Sequence, residues 1–243
     1  MMKNVFISAL AVMLLTSCVF NCNNSGIKGS GNVTREQRAV TQFSGIEVIG
    51  GSFSLFLLQG DFESVEVEID DNLQQYVEVQ NVGNELVLSN KDEVSLNPTK
   101  SNVYITLKNI NLISVLGVCS LKPVNTLNCN ELAINIGGVV NGELDVICNE
   151  MDVNIHGVSN VELSGQSDRF SVTMSGVGSV NAINLEANKV NVNNSGVGSV
   201  SVYAFEELSM NNSGVGSIKY AGDAEIKNLN SSGIGKIKKV ERE

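Results

Sequence analysis

The sequence contains no tryptophan, two prolines and one histidine, and aromatic residues make up 5% of its 243 residues. With a single histidine, His156, and scattered cysteines, it lacks the usual ligands of a zinc site and any local arrangement that would activate a nucleophile. Basic residues are also scarce: 16 Lys and Arg stand against 26 Asp and Glu, a net charge of −10. Such a chain is a poor binder of nucleic-acid phosphates. The composition therefore predicts no metal, no cofactor, no nucleic-acid partner and no catalytic residue.

The N-terminal apolar run, Val5–Leu15, is too short to span a membrane and follows Lys3, as in a secretory signal peptide. It ends in Leu15-Thr16-Ser17-Cys18, which resembles the signal of bacterial lipoproteins. We expect cleavage after residue 17, acylation of Cys18 and anchoring in the outer membrane. The alternative is an ordinary secretory peptide with an unrelated cysteine. Residues 18–39, rich in Gly, Ser and Asn at their start, are predicted to form a flexible tether.

Removal of residues 1–17 takes away Lys3 alone among charged residues, which leaves 15 basic and 26 acidic residues and a net charge of −11. This balance also disfavours attachment to anionic lipids. The body of the chain is dominated by Val, Ile, Asn, Ser and Gly without helical periodicity, which indicates an all-β protein.

The hexapeptide SGVGSV dominates the second half of the sequence. It occurs at residues 175–180 and 195–200, and as SGVGSI at 213–218 and SGIGKI at 232–237. Aligned on its first glycine, seven units of about 19 residues follow one another, and their anchor glycines are Gly117, Gly138, Gly157, Gly176, Gly196, Gly214 and Gly233. A fixed period of this length predicts a β-solenoid, a parallel β-helix with ~19-residue rungs, over residues 110–243.

Each unit is predicted to hold one strand before the anchor glycine and one after it, with a corner between them. Apolar residues four and six before the glycine and four after it are expected to point inward, for example Val172, Phe170 and Val180. The anchor glycines are structural turn residues, as are the second glycines of the motif, Gly178, Gly198, Gly216 and Gly235. The valine between the two glycines, such as Val197, is predicted to fill the interior at the bend, so Val197→Asp should unfold the solenoid. Gly196→Val should also damage the fold if Gly196 has positive φ.

Four further columns follow from the stacking. Asparagines three before the anchor should form hydrogen-bonded ladders: Asn135, Asn154, Asn193, Asn211 and Asn230. Cys129 and Cys148 should be neighbours on successive rungs; a disulfide is within reach, but the parallel geometry favours two buried free thiols. Two charged columns are predicted to be solvated faces: Glu131, Glu150, Arg169, Lys189 and Glu207 in one, and the stacked pair Glu143 and Glu162 in the other. The less favoured alternative is that they form a hydrolytic or Ca²⁺-binding groove.

Residues 40–109 are rich in β-strand patterns but lack the period, and we expect them to pack onto or cap the N-terminal end of the solenoid, with the possibility of irregular rungs. At the other end, Lys236, Lys238, Lys239 and Arg242 are interpreted as charges that block edge-to-edge pairing, in preference to a binding patch.

The segment Arg38–Asn90 (RAVTQFSGIEVIGGSFSLFLLQGDFESVEVEIDDNLQQYVEVQNVGNELVLSN), followed by the SGVGSV turns, resembles the putative auto-transporter adhesin head, or GIN, domain family. The resemblance extends over residues 40–237. It implies a β-helix-like fold, occurrence among bacterial lipoproteins and an adhesive role, and it brings no site residues.

Two functions of different classes follow. The first is a non-catalytic, lipid-anchored module that binds an extracellular glycan or protein. The second is a structural or accessory envelope protein facing the periplasm, which the absence of acidic residues just after Cys18 favours. A carbohydrate-active enzyme on a β-helix is a remote third.

Overall fold

The computed structural model describes residues 26–242. Strands account for 71% of the chain and helix for 4%, and the strands form a β-solenoid of about 7 turns with ~19-residue rungs, which confirms the predicted fold class. The predicted signal peptide 1–17, Cys18 and Cys22 lie outside the described residues. Between residues 26 and 242, no helix has the length and apolar character needed to cross a membrane.

The solenoid is built from parallel strands that pair with their equivalents one rung away. Its strands are β10 (Leu112–Val115), β11 (Val118–Pro123), β12 (Leu127–Asn128), β13 (Glu131–Ile136), β14 (Val139–Ile155), β15 (Val158–Met174), β16 (Val177–Asn194), β17 (Val197–Asn212), β18 (Val215–Ala221), β19 (Glu225–Ser231) and β20 (Ile237–Lys239). The two strands predicted for each unit are joined in β14 to β17, which run from one glycine corner to the next. The pairing follows the sequence repeat, with Val158 opposite Val177 and Val177 opposite Val197.

The strands of the N-terminal section continue the same sheet, except the first and the eighth, which pair with each other in a separate two-stranded sheet. They are β1 (Ile27–Lys28), β2 (Val33–Arg38), β3 (Gly45–Ile49), β4 (Ser52–Gln59), β5 (Ser64–Asp70), β6 (Val77–Val82), β7 (Glu85–Asn90), β8 (Leu96–Asn97) and β9 (Ser101–Leu107), with 3-10 helices at Asp71–Tyr76 and Lys91–Glu93. β3 and β4 pair in parallel with β10 and β11, and β7 and β9 stack on β3 and β4. Antiparallel β6 adds to β7, and β5 and β2 add to β9. The chain therefore forms irregular rungs before the periodic ones, and antiparallel strands cover their outer end.

Part of the predicted tether is structured. β1 pairs with β8, and β2 pairs with β5 along Val33–Arg38. Buried Asp70 anchors this segment because its carboxylate accepts hydrogen bonds from the backbone N–H groups of Gly31 and Thr99, both at 2.7 Å. The rest of the predicted tether, residues 18–25, lies outside the described residues.

One continuous apolar core runs through the rungs from Phe43 to Ile218. The columns predicted to point inward do so: Val172 and Phe170 before the corner and Val180 after it are each at most 2% exposed. Leu229, the predicted interior residue of the last unit, is instead 51% exposed. It lies on β19, at the C-terminal end of the stack, where it packs on one neighbouring rung only.

The outward asparagines form the predicted ladders. Asn211 Nδ2 donates to Asn193 Oδ1 at 3.1 Å, and Asn230 Nδ2 donates to Asn211 Oδ1 at 3.0 Å. A second, inward pair was not predicted. Buried Asn194 donates to Asn212 Oδ1 at 3.0 Å, and Asn212 donates to the carbonyl of Gly216 at 3.0 Å.

In the four corners that carry the full motif, the two glycines are required for different reasons. The second glycine has positive φ, +135° at Gly178 and +150° at Gly198, while the anchor glycines lie outside this region. The anchor is needed because rungs approach closely there. The carbonyl of Gly157 accepts from Val177 N at 2.9 Å, and a Cβ added to Gly176 would lie 2.0 Å from that oxygen. Gly196 does not have the positive φ on which the prediction for Gly196→Val depended. A Cβ at Gly196 would still lie 2.1 Å from the carbonyl oxygen of Gly176, so the substitution should damage the fold for this other reason.

The substitution Gly178→Ala should destabilise the protein far more than Gly83→Ala. Both glycines have positive φ, which costs alanine about 1–2 kcal/mol. A Cβ at Gly83 meets open space, but one at Gly178 would lie 1.8 Å from the carbonyl oxygen of Ser159. Urea unfolding midpoints of the two variants measure the difference. Equal losses would mean that the rungs do not approach as closely as the structure shows.

Candidate binding surface

The valine between the two corner glycines lies on the surface, so the predicted interior position is wrong. Val177 is 50% exposed and Val197 is 51% exposed. The strand begins at this valine, and side chains alternate along it. Because the residue three positions later, Val180 or Val200, is buried, the valine must point outward.

In register, these outward residues form one continuous apolar line, here called the corner ridge. Its members are between 45% and 75% exposed: Val118, Val139, Val158, Val177, Val197, Val215 and Ile234. With rungs about 4.8 Å apart, the ridge is about 29 Å long. Monomeric proteins seldom expose contiguous apolar patches larger than roughly a few hundred Å², and such patches often mark a site of interaction.

Small polar residues flank the corner ridge and are fixed by hydrogen bonds between rungs. On one side, Ser175 Oγ donates to the carbonyl of Ile155 at 3.2 Å, and the same hydroxyl lies 2.8 Å from His156 Nδ1. On the other side, Ser179 Oγ donates to Asn160 Oδ1 at 2.9 Å. His156 is thus a turn residue in the position that serine occupies in later rungs. The flanks offer hydroxyl and amide groups at a fixed repeat along an apolar line.

A shallow polar groove of about 420 Å³ follows the same strands beyond the ridge. It contains the stacked carboxylates Glu143 and Glu162, which are register partners on β14 and β15, together with Lys122, Asn141 and Asn160. Both glutamates are exposed to water. This setting suits hydrogen bonds to a ligand's hydroxyl groups better than the water-excluded chemistry of a glycosidase.

The charged column behaves as a solvated face. Arg169 Nη2 lies 2.6 Å from Glu150 Oε2, and Lys189 Nζ lies 3.6 Å from Glu207 Oε1. The hydrogen bond and charge of Glu150 raise the pKa of Arg169. These are exposed pairs between successive rungs, which contribute little to stability.

The basic C-terminus folds back on the rungs. Lys239 pairs with Asp223 at 3.1 Å. Arg242 pairs with Glu186 at 2.7 Å, and its guanidinium lies 5.1 Å from the ring centre of Tyr203. Lys238 and Lys239 lie on β20, the strand that pairs with β18 at this end of the stack.

Cys129 and Cys148 are neighbouring free thiols, as the parallel geometry favoured, but only Cys148 is buried and Cys129 is half-buried. A hydrogen bond donated by Cys129 lowers the pKa of Cys148 to about 7, and the pKa of Cys129 is raised in turn. Cys148 Sγ also lies 3.6 Å from Ser167 Oγ. Burial raises the pKa of Cys119 to about 12. Across residues 26–242, no three His, Cys, Asp or Glu side chains converge as metal ligands would.

The placement of the ridge predicts opposite outcomes for one substitution made at two nearby positions. Val197→Asp should leave the fold intact and change the free energy of unfolding by less than about 1 kcal/mol. Val200→Asp, in the same rung but fully buried, should cost more than about 4 kcal/mol or abolish folding, because an unpaired charge would enter the core.

Thermal unfolding followed by circular dichroism compares the two variants with the unmodified protein. Loss of the fold in Val197→Asp, or tolerance of Val200→Asp, would contradict the observed orientation of these strands.

Known structures share this architecture. A putative adhesin from Bacteroides fragilis is 30% identical with a TM-score of 0.83, and the match covers 88% of this chain and 100% of that one. A putative lipid binding protein from Parabacteroides distasonis is 25% identical, TM-score 0.70, over 88% and 99% of the two chains. A putative adhesin from Parabacteroides merdae, 18% identical over the same shares with a TM-score of 0.61, shows the fold alone. No curated protein matches the chain.

The model of the family described as "putative auto-transporter adhesin, head GIN domain" matches residues 42–224. That range includes the irregular rungs at the N-terminus and all but the last corner of the solenoid. The chain belongs to the GIN-domain adhesin family.

Proposed function

We propose that this protein is a non-catalytic adhesin-type binding module of the cell envelope that contacts an extended glycan or protein segment along its corner ridge. The observation that carries the proposal is the line of outward valines. In seven successive rungs the corner position holds an aliphatic side chain that is about half exposed or more, although a polar side chain would be better solvated there. The names of the family and of the 30% identical relative support the adhesive role.

The shape of the ridge favours a ligand with a repeat of its own. Apolar contacts recur every rung, and hydroxyl and amide groups lie beside them at the same spacing. The flanking groups are held by hydrogen bonds between rungs, so a ligand would order few side chains on binding. A rigid surface of this kind loses little conformational entropy on association.

We further propose that the module is held at the outer membrane by lipid on Cys18. The sequence Leu15-Thr16-Ser17-Cys18 supports this anchor. The described chain begins eight residues later, at Gly26, next to β1. A fully extended segment of that length reaches about 28 Å. The N-terminal end of the solenoid would therefore lie close to the membrane, and the corner ridge would lead away from it.

The binding role is tested with a double variant, Val177→Asp with Val197→Asp, on arrays of immobilised glycans and on extracellular-matrix proteins. Because both residues are half exposed, the variant should fold, and binding should fall at least tenfold. Val82→Asp with Val124→Asp, two exposed valines outside the ridge, provides the matched control. Equal binding by both double variants would show that the corner ridge does not contact the ligand. If the protein cleaved a polysaccharide and Glu143→Gln abolished that cleavage, the protein would be a carbohydrate-active enzyme and the proposal would be wrong.

The anchor and its location make a separate prediction. Cys18→Ala should abolish labelling by a fatty-acid analogue and release the protein from membranes, whereas Cys22→Ala should change neither. Retention of Cys18→Ala in the membrane would contradict lipidation at this residue. Protease added to intact cells should digest the protein if it acts as an adhesin. Digestion only after the outer membrane is opened would favour the periplasmic envelope role.

A further inference from the structure

We propose that a cavity at the N-terminal end of the solenoid binds a small amphiphile with an apolar chain and an uncharged or cationic hydrogen-bond donor. The cavity, here called the loop pocket, has a volume of about 720 Å³. It lies between the corner that joins β3 to β4 and the loop formed by residues 91–100. This volume is within the range of sites that hold small molecules. The proposal is independent of the ligand of the corner ridge.

The walls of the loop pocket are mainly apolar. The corner and the strands behind it contribute Ile49, Phe53 and Ile69, and the loop contributes Val94, Leu96 and Pro98. Ile49 is 44% exposed at the rim, while Phe53 and Ile69 belong to the core. A ligand chain placed here would replace water on aliphatic and aromatic surface, which is a favourable transfer.

One polar atom is placed to select the ligand's head. Asn90 Nδ2 donates to the carbonyl of Val94 at 3.0 Å, which fixes the orientation of the amide because that carbonyl can only accept. Asn90 Oδ1, at the opposite end, is fully buried and has no hydrogen-bond donor among residues 26–242. A buried carbonyl of this kind is satisfied by an N–H or O–H donor, and leaving it unmet is costly.

The corner glycine and the Phe53 ring surround this atom closely. Gly51 has a φ of +68°, and a Cβ added there would lie 3.0 Å from Asn90 Oδ1 and 2.6 Å from the Phe53 ring. A ligand's donor therefore reaches the amide oxygen when the Phe53 ring turns aside. Across the cavity, Asp92 and Glu93 both adopt positive φ, at 51° and 53°. Consecutive non-glycine residues in this region are strained and occur preferentially at ligand sites.

The charge of the pocket sets the sign of the head group. Asp92 and Glu93 are the charged side chains that line it, and no Lys or Arg does so within the described part of the chain. Lys91 and Lys100 lie on the same loop but outside the lining. A carboxylate or phosphate head would therefore meet like charge, whereas a hydroxyl or ammonium group would not.

The loop that lines the pocket is fastened in its middle and near its C-terminal end. Ile27 N donates to the carbonyl of Ser95 at 2.9 Å as β1 pairs with β8. Thr99 N donates to the buried carboxylate of Asp70 at 2.7 Å. These contacts hold the cavity in shape without a ligand, so that binding need not order the loop.

The test uses three probes of equal chain length at pH 7: 1-octanol, octylammonium and octanoate, each below its aggregation concentration. Binding to the purified protein is measured by titration and located by chemical-shift changes in NMR spectra. We expect octanol and octylammonium to bind at the loop pocket and octanoate to bind at least fivefold more weakly. Equal affinity for the three probes, absence of binding, or shifts confined to other residues would overturn the proposal.

Two variants separate the site from non-specific adsorption. Ile49→Asp, at an exposed rim position, should weaken octanol binding at least tenfold, and Val124→Asp, equally apolar and more exposed, should not. Asp92→Asn combined with Glu93→Gln should raise the affinity for octanoate towards that for octanol, because the repulsion is removed while Asn is tolerated at positive φ. Octanoate binding that stays weak in this variant would contradict the assigned role of the two carboxylates.

Discussion

The structure depends on one constraint: parallel strands stack in register, so each residue has its own equivalent as a neighbour one rung away. The spacing of about 4.8 Å is fixed by backbone hydrogen bonds, such as the 2.9 Å bond from Val177 N to the carbonyl of Gly157. Every property of a side chain is therefore repeated along a column. An inward Val column becomes a continuous core, an Asn column becomes a ladder, and an outward Val column becomes the corner ridge.

This constraint explains which features could be predicted from the sequence. The period, the inward columns represented by Val172 and Val180, and the outward Asn ladder each follow from a repeat aligned on one glycine. The predicted interior position of the corner valine is wrong because it rests on the general tendency of apolar residues in a repeat to be buried. Strand alternation from buried Val180 gives the correct result, since an odd separation of three residues reverses the face.

Other features have no signal in the repeat. The rungs formed by β3 with β4 and by β7 with β9 lack the period because antiparallel strands are inserted between them in the chain. The inward pair Asn194 and Asn212 interrupts an apolar column, and only the geometry of the corner shows that the carbonyl of Gly216 receives it. The loop pocket joins Ile49, Asn90 and Leu96, which no local pattern relates.

The functional argument rests on the same geometry. A rigid stack offers two kinds of surface: a periodic ridge along its length, and an irregular end where the repeat stops and a cavity forms. The family relationship agrees with an adhesive role for the protein, and we propose that the first surface, the ridge, carries it. The second differs from it in shape and chemistry, since it is concave, apolar and bordered by acidic residues.

The most direct test of the in-register stack is a distance measurement along the corner ridge. Spin labels attached through cysteines introduced at Val139 and Ile234, in a background without the native cysteines, are separated by five rungs. The account predicts that double electron–electron resonance spectroscopy will give a narrow distance distribution centred at about 24 Å. A broad distribution, or one centred well beyond this value, would contradict the stacking on which both proposed surfaces depend.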